Sequence, residues 1–347
     1  MSAQTIFYII IAIILIDFVI DKIVDALNAK KFKDPVPSEL NDVYDETEYT
    51  RSQNYKKERY QFGIITSSFS LLTILIFLFL NGFAFVDGIA ASYTENGIIR
   101  ALIFFGIIMF ASDILTLPFS YYSTFVIEEK YGFNKTTKKL FFLDKLKSWA
   151  LMAIVGGAIL SLIIWFYQLT ENDFWWYAWI LVTVIILFTN MFYAKLIVPI
   201  FNKQSPLKEG SLRSKIEAYA EKVGFKLDNI FVIDGSKRST KANAYFSGFG
   251  KEKRITLYDT LISDLEEEEI VSVLAHEVGH YKRKHIVVNL IASIATTGLT
   301  LWLLSLFVGN ETLSQALGVE KPSFHIGFIA FGLLYSPISE ITGLIMN

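Results

Sequence analysis

No cysteine occurs among the 347 residues, and there are only four histidines. The lack of cysteine excludes disulfide bonds, thiolate zinc sites and cysteine nucleophiles. Charged residues are also scarce, at 19% of the chain against about 25% in soluble domains. The net charge of −2 creates no broad electrostatic field, so nucleic acid is not expected as a partner.

Hydrophobic residues are abundant instead: they make up 53% of the chain and include 30 phenylalanines. They are concentrated in runs long enough to cross a bilayer core, which takes about 20 helical residues. The seven predicted spans are 6–27, 63–86, 98–120, 148–168, 174–195, 286–308 and 324–346. A cleaved signal peptide is the alternative for the first run. However, Met1 to Thr5 carries no Lys or Arg, and no small-residue cleavage site follows Ile16. We therefore predict a multi-pass integral membrane protein.

Basic residues alternate between the predicted loops. Lys and Arg are frequent in the segments 28–62, 121–147 and 196–285. They are absent from 87–97 and 169–173, and 309–323 has only Lys321. Because basic loops face the cytoplasm, the N-terminus is predicted outside and 196–285 inside. The lack of cysteine favours a bacterial inner membrane, and the endoplasmic reticulum is the alternative for a eukaryotic source.

The segment 196–285 is the one stretch long enough to fold outside the membrane, so we predict the division 1–195, 196–285 and 286–347. The fold class is an all-α membrane protein with a small α+β cytoplasmic insert. Within the insert, apolar spacing predicts a helix over Lys208 to Val223 and a strand over Asn229 to Ile233. A hairpin is predicted from the strands Asn243 to Phe246 and Arg254 to Tyr258, with Gly250 to Lys253 as its turn.

The most informative motif is His276-Glu277-Val278-Gly279-His280. Residues four apart share one face of a helix, so both imidazoles can bind one metal ion. Glu277 is then placed to accept a proton from the hydrolytic water, as in zinc metalloproteases. The sequence thus predicts Zn²⁺ bound by His276 and His280, with Glu277 as general base. The alternative is two ordinary surface histidines on a helix.

The helix carrying this motif has predicted start and stop signals. Ser263 followed by Glu266 matches a capping box, and the acidic run from Glu266 to Glu269 suits the positive end of the helix dipole. The basic run Lys282 to Lys284 suits the other end. His285 follows His280 by five residues, which on a continuous helix turns it off the ligand face. We therefore interpret His285 as an interfacial or structural histidine.

Other candidate ligands are weaker. The metzincin continuation would need a glycine at position 283 and a histidine at 286, where Arg283 and Ile286 stand. His325 starts the last span on the predicted outer side and is not expected to bind the metal. Glu340, near the inner end of that span, is either a third ligand or a pore-facing carboxylate.

Two more carboxylates, Asp17 and Asp113, fall inside predicted spans. Carboxylates are costly in lipid, so they should face the bundle interior or a wet cavity. Structural pairing and a functional role both remain open for them.

The edge of the predicted hairpin is a candidate peptide-binding element. Asn243 to Phe246 could align an extended substrate by adding it as a further strand. An ordinary structural hairpin is the alternative.

Taken together, these motifs resemble the type I CAAX prenyl proteases, integral-membrane zinc metalloproteases. The matching segments are Pro37 to Leu40, Arg51 to Gln53, Leu117 to Ser120, Ile127 to Lys135, Asp234 to Ser239, Asn243 to Phe246, Lys253 to Leu261 and His276 to His280. They follow one another along essentially the whole chain, which makes the resemblance specific.

The resemblance implies a barrel of seven helices around an intramembrane chamber, with zinc at its cytoplasmic end. It implies cleavage of the C-terminal tripeptide from a lipidated, prenylated protein, so that peptide and membrane lipid are the expected partners. His276 and His280 match the family's zinc ligands and Glu277 its catalytic glutamate. Asn243 matches a substrate-contacting asparagine, and the adjoining Ala244 and Tyr245 are taken with it as substrate-binding. A quality-control protease without prenyl specificity and a non-enzymatic transporter or receptor are the alternatives.

One departure concerns the third zinc ligand. In this family the third ligand is a glutamate in a motif beyond the seventh span. This chain ends at Asn347, before such a motif. We therefore expect the sequence to lack a C-terminal segment. Weak zinc binding and inactivity are expected of the chain that ends there.

Overall fold

A computed structural model describes residues 1–40, 42, 45–224, 229–247 and 253–346. The predicted hairpin turn at Gly250 to Glu252 lies outside these residues. The predicted helix, strand and hairpin strands of the insert are all present within them.

Helices dominate the chain. The α-helices among the described residues are α1 Ala3–Ala29, α2 Glu46–Phe79, α3 Gly82–Tyr93, α4 Gly97–Tyr122, α5 Lys138–Leu151, α6 Gly157–Thr170, α7 Phe174–Phe192, α8 Val198–Phe201, α9 Ser211–Lys222, α10 Asp259–Asp264, α11 Glu267–Lys282, α12 His285–Phe307, α13 Glu311–Ala316 and α14 Phe324–Met346. Short 3₁₀ turns cover Lys30–Lys33, Ser38–Leu40, Glu171–Asp173 and Gly235–Lys237.

Helices long and apolar enough to span a membrane number seven among the described residues, as the sequence predicts. They are Ala3–Lys33, Glu46–Phe79, Gly97–Glu128, Lys138–Thr170, Phe174–Phe201, His285–Phe307 and Phe324–Leu344. Three of them contain π-helical turns, at Ser123–Glu128, Met152–Gly156 and Tyr193–Ile197. Such turns insert a residue into the α-helical register and frequently mark functional sites.

The end of the second predicted span is wrong. The run 63–86 is predominantly apolar, but α2 ends at Phe79 and a separate helix, α3, begins at Gly82. Asn81 between them has φ 51°, a left-handed conformation that Asn tolerates better than most residues. Hydrophobicity could not predict this break, because the residues on both sides of it are equally apolar.

The chain divides into two compact units. The first comprises Met1–Tyr131, Gly157–Trp175 and Leu301–Asn347, and the second comprises Gly132–Gly156 and Trp176–Thr300. The core of the first unit joins α1, α3, α4, α13 and α14. Its fully buried side chains include Ile10, Phe104 and Ile326.

The second unit contains a four-stranded sheet. Its strands are β1 Gln204–Pro206, β2 Ile230–Ile233, β3 Ala244–Ser247 and β4 Arg254–Tyr258. The sheet order is β1-β2-β4-β3, which places β3 at one edge. β2 runs parallel to β4, and β3 pairs antiparallel with β4, with Tyr245 opposite Thr256 and Ser247 opposite Arg254.

The two faces of this sheet pack on different helices. Side chains two residues apart share a face. Ala244, Ile255 and Leu257 point to one face, where they form a core with residues of α9 and α11. Ile233, Tyr245 and Tyr258 contact a second cluster, built from the π-helical turn after α7 and from α8. The sheet therefore separates the helix carrying the histidines from the end of a membrane helix.

The helix α11 packs through Ile270, Leu274 and Val278, which are buried. Its predicted cap is wrong. Ser263 belongs to α10, where its hydroxyl donates to Thr260 O. The helix α11 begins at Glu267, and the Glu269 carboxylate accepts the backbone N–H of Glu266 at 2.8 Å. The reciprocal half of a capping box is thus present, displaced by three positions from the predicted one.

Candidate active site

His276 and His280 lie one helical turn apart on α11, with their rings directed at the same point. The two Nε2 atoms are 3.0 Å apart. Two nitrogens bound to one tetrahedral zinc ion, each at about 2.0–2.1 Å, would lie about 3.3 Å from one another. Both side chains are exposed, and Glu277 is partly exposed beside them. The pair therefore fits a divalent metal without a change of helix geometry.

His285 is closer to this pair than predicted. The reasoning from a continuous helix is wrong, because α11 ends at Lys282 and Lys284 adopts φ 59° before α12 begins. The chain changes direction there, and His285 Nδ1 comes within 2.9 Å of His280 Nδ1. Metal-binding histidines commonly hydrogen-bond their second nitrogen to a carboxylate, a carbonyl or water, which fixes the ring orientation, and here a second imidazole takes that place. His285 is therefore placed to orient His280.

Glu267 and Glu268 at the α11 N-terminus lie more than two helical turns from the histidines and have partners of their own. Lys215 on α9 lies 2.7 Å from Glu267 and 2.6 Å from Glu268. Its hydrogen bonds lower the pKa of both carboxyls. Ser211 also donates to Glu267. These contacts support the structural interpretation of the acidic run.

No group of three His, Asp or Glu side chains placed to hold a metal ion occurs within the part of the chain that the structure describes. The two imidazoles of His276 and His280 are the converging donors found here. Their neutral nitrogens are the ligand type that zinc prefers at catalytic sites.

The predicted substrate-binding residues lie at the edge of the sheet. Asn243 immediately precedes β3, and its Oδ1 accepts the Ala244 N–H at 2.9 Å. Its carbonyl accepts the Tyr258 N–H at 3.0 Å. Because backbone groups alternate along an antiparallel strand, those of Tyr245 face β4 and those of Ala244 face the open edge. The edge strand is as predicted, and its role with substrate stays a prediction.

A buried charged cluster in the first unit escaped prediction. Asp87 on α3 accepts two hydrogen bonds from Arg100, at 2.9 and 2.6 Å. His325 Nε2 lies 2.7 Å from the same carboxylate. Burial alone would raise the pKa of Asp87, but the hydrogen bonds from His325 and Arg100 outweigh it and lower the pKa. The sequence offered one indication of this cluster: Arg100 lies inside the predicted span 98–120, and an arginine there needs a partner.

The intramembrane carboxylates also have local explanations. Asp17 accepts a hydrogen bond from the Ser336 hydroxyl at 3.0 Å, within the first unit. This contact is an instance of the structural pairing considered for Asp17. Glu340 is exposed on α14.

Comparison with known proteins adds independent information. Residues 25–203 match a family model described as the CAAX prenyl protease N-terminal domain with five membrane helices. Residues 206–343 match peptidase family M48. The chain belongs to the CAAX prenyl protease family of M48 metallopeptidases. The resemblance inferred from the sequence motifs is thereby confirmed.

Similar proteins of this family come from several eukaryotes. The CAAX prenyl protease 1 homolog of Dictyostelium discoideum is 36% identical, over 90% of this chain and 75% of its own length. CAAX prenyl protease 1 of Saccharomyces cerevisiae is 35% identical with the same coverage. The crystal structure of S. mikatae Ste24p is similar with a TM-score of 0.93 and 34% identity. It covers 98% of this chain and 84% of that one.

These similarities establish the fold class and the broad activity. The chain is a multi-pass integral membrane protein of a protease family, with a small four-stranded sheet among its helices. A metal cofactor is general to this family.

Proposed function

We propose that the protein is a zinc metalloendopeptidase that removes the C-terminal tripeptide from prenylated CAAX-type proteins. The observation that carries the proposal is the convergence of His276 Nε2 and His280 Nε2 to 3.0 Å, with Glu277 next to them on the same helix. Membership of the CAAX prenyl protease family supports the substrate class.

His276 and His280 would hold the zinc ion through their Nε2 atoms. A bound zinc ion supplies Lewis acidity, which acidifies the hydrolytic water and polarises the scissile carbonyl. Glu277 accepts the proton of that water and returns it to the leaving amine. His285 keeps the His280 ring in orientation through the Nδ1 contact. The edge of β3 aligns the substrate as an extended strand, with Asn243, Ala244 and Tyr245 beside it.

The site is proposed to face the cytoplasm, because the basic segments 28–62, 121–147 and 196–285 share one predicted side. In a eukaryotic cell the corresponding membrane would be the endoplasmic reticulum. The three-part division 1–195, 196–285 and 286–347 stays a prediction.

The test uses the full-length protein in liposomes supplied with zinc. Farnesylated and unlipidated peptides of the same CAAX sequence are compared, in the wild type and in Glu277→Gln. We expect cleavage of the farnesylated peptide and at least a hundredfold loss in Glu277→Gln, the scale of general base catalysis. Glu221→Gln, an exposed change on α9, is the matched control and should retain activity.

Each alternative predicts a different result. Equal rates on both peptides would reject prenyl specificity and favour a broader membrane quality-control protease. Cleavage that does not depend on Glu277 would reject the metalloprotease mechanism.

A further inference from the structure

A cavity of about 1140 Å³ lies within the first unit, between α2 and the end of the α4 span. One wall is a face of α2, whose lining residues run from Glu46 to Ile65, about 28 Å along the helix. The other wall comes from the end of α4, the π-helical turn after it, and Lys130 and Tyr131. Segment 28–62 is predicted to be cytoplasmic, and the apolar run of the second span begins directly after it. The cavity therefore crosses the expected boundary between cytoplasm and bilayer.

The two walls are joined by hydrogen bonds. Glu58 on α2 accepts from Lys130 Nζ at 2.7 Å and from the Tyr131 hydroxyl at 2.9 Å. Arg51 donates to the Tyr131 carbonyl at 2.6 Å. Ile127 and Tyr131 in the opposite wall are buried. These contacts fix the separation of the walls, so the cavity is part of the folded structure.

The chemical character of the lining changes along α2. Its polar residues follow at intervals of three and four, which places them on one face of the helix: Thr47, Thr50, Asn54, Lys57 and Gln61. After Gln61 the lining residues of α2 are apolar, namely Phe62 and Ile65. Tyr122 from the opposite wall stacks on Phe62 with 5.1 Å between ring centroids, and tyrosine is enriched at membrane–water interfaces. A ligand that fills the cavity must therefore be polar at one end and apolar at the other.

The charges available to such a ligand are mainly positive. Lys130 and Glu58 form an ion pair and neutralise each other. Arg51 uses one of its five N–H donors on the Tyr131 carbonyl. No hydrogen bond or ion pair joins Lys57 to the residues that the structure describes. The other lining carboxylate, Glu46, lies about 16 Å from Lys57 along the helix, so an anion beside Lys57 would meet donors without a competing carboxylate.

We propose that this cavity binds one phospholipid with a net negative headgroup. Lys57 and Arg51 bind its phosphate, and its acyl chains lie along Phe62 and Ile65. Basic pockets between membrane helices on the cytoplasmic side bind anionic headgroups, and that leaflet is rich in anionic lipids. A soluble phosphate would leave the apolar end to water, and a lipid without net charge would leave Lys57 without a counterion. The site is independent of the proposed protease chemistry, because it contains neither the histidines of α11 nor the edge strand.

The test measures lipid binding to the full-length protein in a nonionic detergent by native mass spectrometry. Dioleoyl phosphatidylglycerol and dioleoyl phosphatidylcholine have the same acyl chains and differ in headgroup charge. We expect one phosphatidylglycerol per chain, bound at least about fivefold more tightly than phosphatidylcholine, the scale for one basic residue beside an anionic headgroup. Lys57→Gln should remove most of this preference, and Lys57→Arg should retain it. Lys56→Gln removes the same charge from an exposed neighbour that does not line the cavity, and this matched control should preserve the preference.

A second variant fills the cavity. Asn54 is exposed and lines the polar part, so Asn54→Trp places an indole in the space for the headgroup without disturbing a buried residue. Binding of phosphatidylglycerol should fall severalfold, while the melting temperature without added lipid stays at the wild-type value. Unchanged binding in this variant would place the lipid elsewhere and overturn the proposal.

The remaining outcomes separate this lipid from other occupants. Equal affinity for the two lipids, or equal losses in Lys57→Gln and Lys56→Gln, would show nonspecific association and reject the site. Binding of glycerol 3-phosphate as tight as that of the phospholipid would show a site for soluble anions. Displacement of phosphatidylglycerol by a farnesylated CAAX peptide in the Glu277→Gln protein would assign the cavity to the substrate. Each of these results overturns the lipid site, whether or not the wild type cleaves peptides.

Discussion

Two histidine sites of this protein differ in burial and in the partners of their ring nitrogens. His325 is 2% exposed, and its Nε2 is bound to Asp87, which Arg100 also holds. His276 and His280 are exposed, and their Nε2 atoms face each other without a carboxylate between them. The first site satisfies its charges internally, and the second leaves its ligand atoms available.

All three residues are histidines, so the two sites differ in their partners: His325 has a carboxylate partner, and the proposed metal ligands His276 and His280 contact each other. The buried Asp87 carboxylate gains its stability from Arg100 and His325, partners that the fold supplies. The imidazoles of His276 and His280 have only a short contact with each other at Nε2, and the same two atoms are placed to bind an ion. Loss of the first site should therefore affect folding, and loss of the second should affect metal binding and activity.

The largest effect is expected from His276→Ala in the full-length protein. Metal content should fall from one zinc per chain to nearly none, and kcat/KM should fall by at least about a thousandfold. Elemental analysis and a peptide cleavage assay measure both. His325→Ala is the comparison, and it should keep its zinc while melting at a lower temperature. Equal zinc loss in the two variants would contradict the assignment of metal binding to His276 and of a structural role to His325.

Asp87→Asn should produce the next largest effect, on stability. It leaves Arg100 without its counterion, which costs about 3 kcal/mol for a buried pair. Thermal unfolding in detergent measures the change. Asp25→Asn is the matched control, because the Lys22–Asp25 pair is more exposed and should contribute less than about 1 kcal/mol. Similar melting temperatures for both variants would contradict a structural role for the Asp87 cluster.

His285→Ala should weaken zinc binding by about tenfold to a hundredfold, as expected for a residue that orients a ligand. Competition with a chelator measures the affinity. His285→Asn restores a hydrogen-bonding group and should recover part of the loss, whereas the exposed Arg283→Ala should change nothing. Zinc affinity unaltered in His285→Ala would show that the His280 contact is incidental.

The smallest effect concerns the α11 N-terminus. Lys215 lowers the pKa of Glu267 and Glu268, so its contribution is present above the unfolded carboxyl pKa of about 4.3. It is lost as pH falls through the lower, folded values. Lys215→Ala should therefore melt slightly below wild type at pH 7 and equally at pH 3, with Lys222→Ala as control. A difference that persists at pH 3 would point to lost packing in place of lost charge pairing.

Much of the fold could be predicted from the sequence. The seven spans are long apolar runs, and the strands of the insert are short runs rich in β-branched and aromatic residues, so local residue types decide them. The π-helical turns could not be predicted, since they change helix geometry inside long helices without interrupting the hydrophobic pattern. The break at Asn81 also lies within a run long enough to span, although its Asn81-Gly82 dipeptide is a turn signal.

The candidate site shows a similar division. His276, Glu277 and His280 follow from spacing within one helix. The contact of His285 depends on the left-handed conformation of Lys284, which residue spacing does not encode. The pairing of Asp87 with His325 joins residues 238 positions apart. Local patterns predict ligands on one element, whereas partners from separate elements require the tertiary structure.

The left-handed conformation of Lys284 has a consequence for protein engineering. On an unbroken helix, His285 would be rotated by about 140° from His280, since each residue turns about 100°. A graft of residues 276–285 onto a straight designed helix would therefore transfer two imidazoles and misdirect the third. The left-handed backbone conformation of Lys284 therefore determines whether two or three imidazoles keep their positions in such a graft.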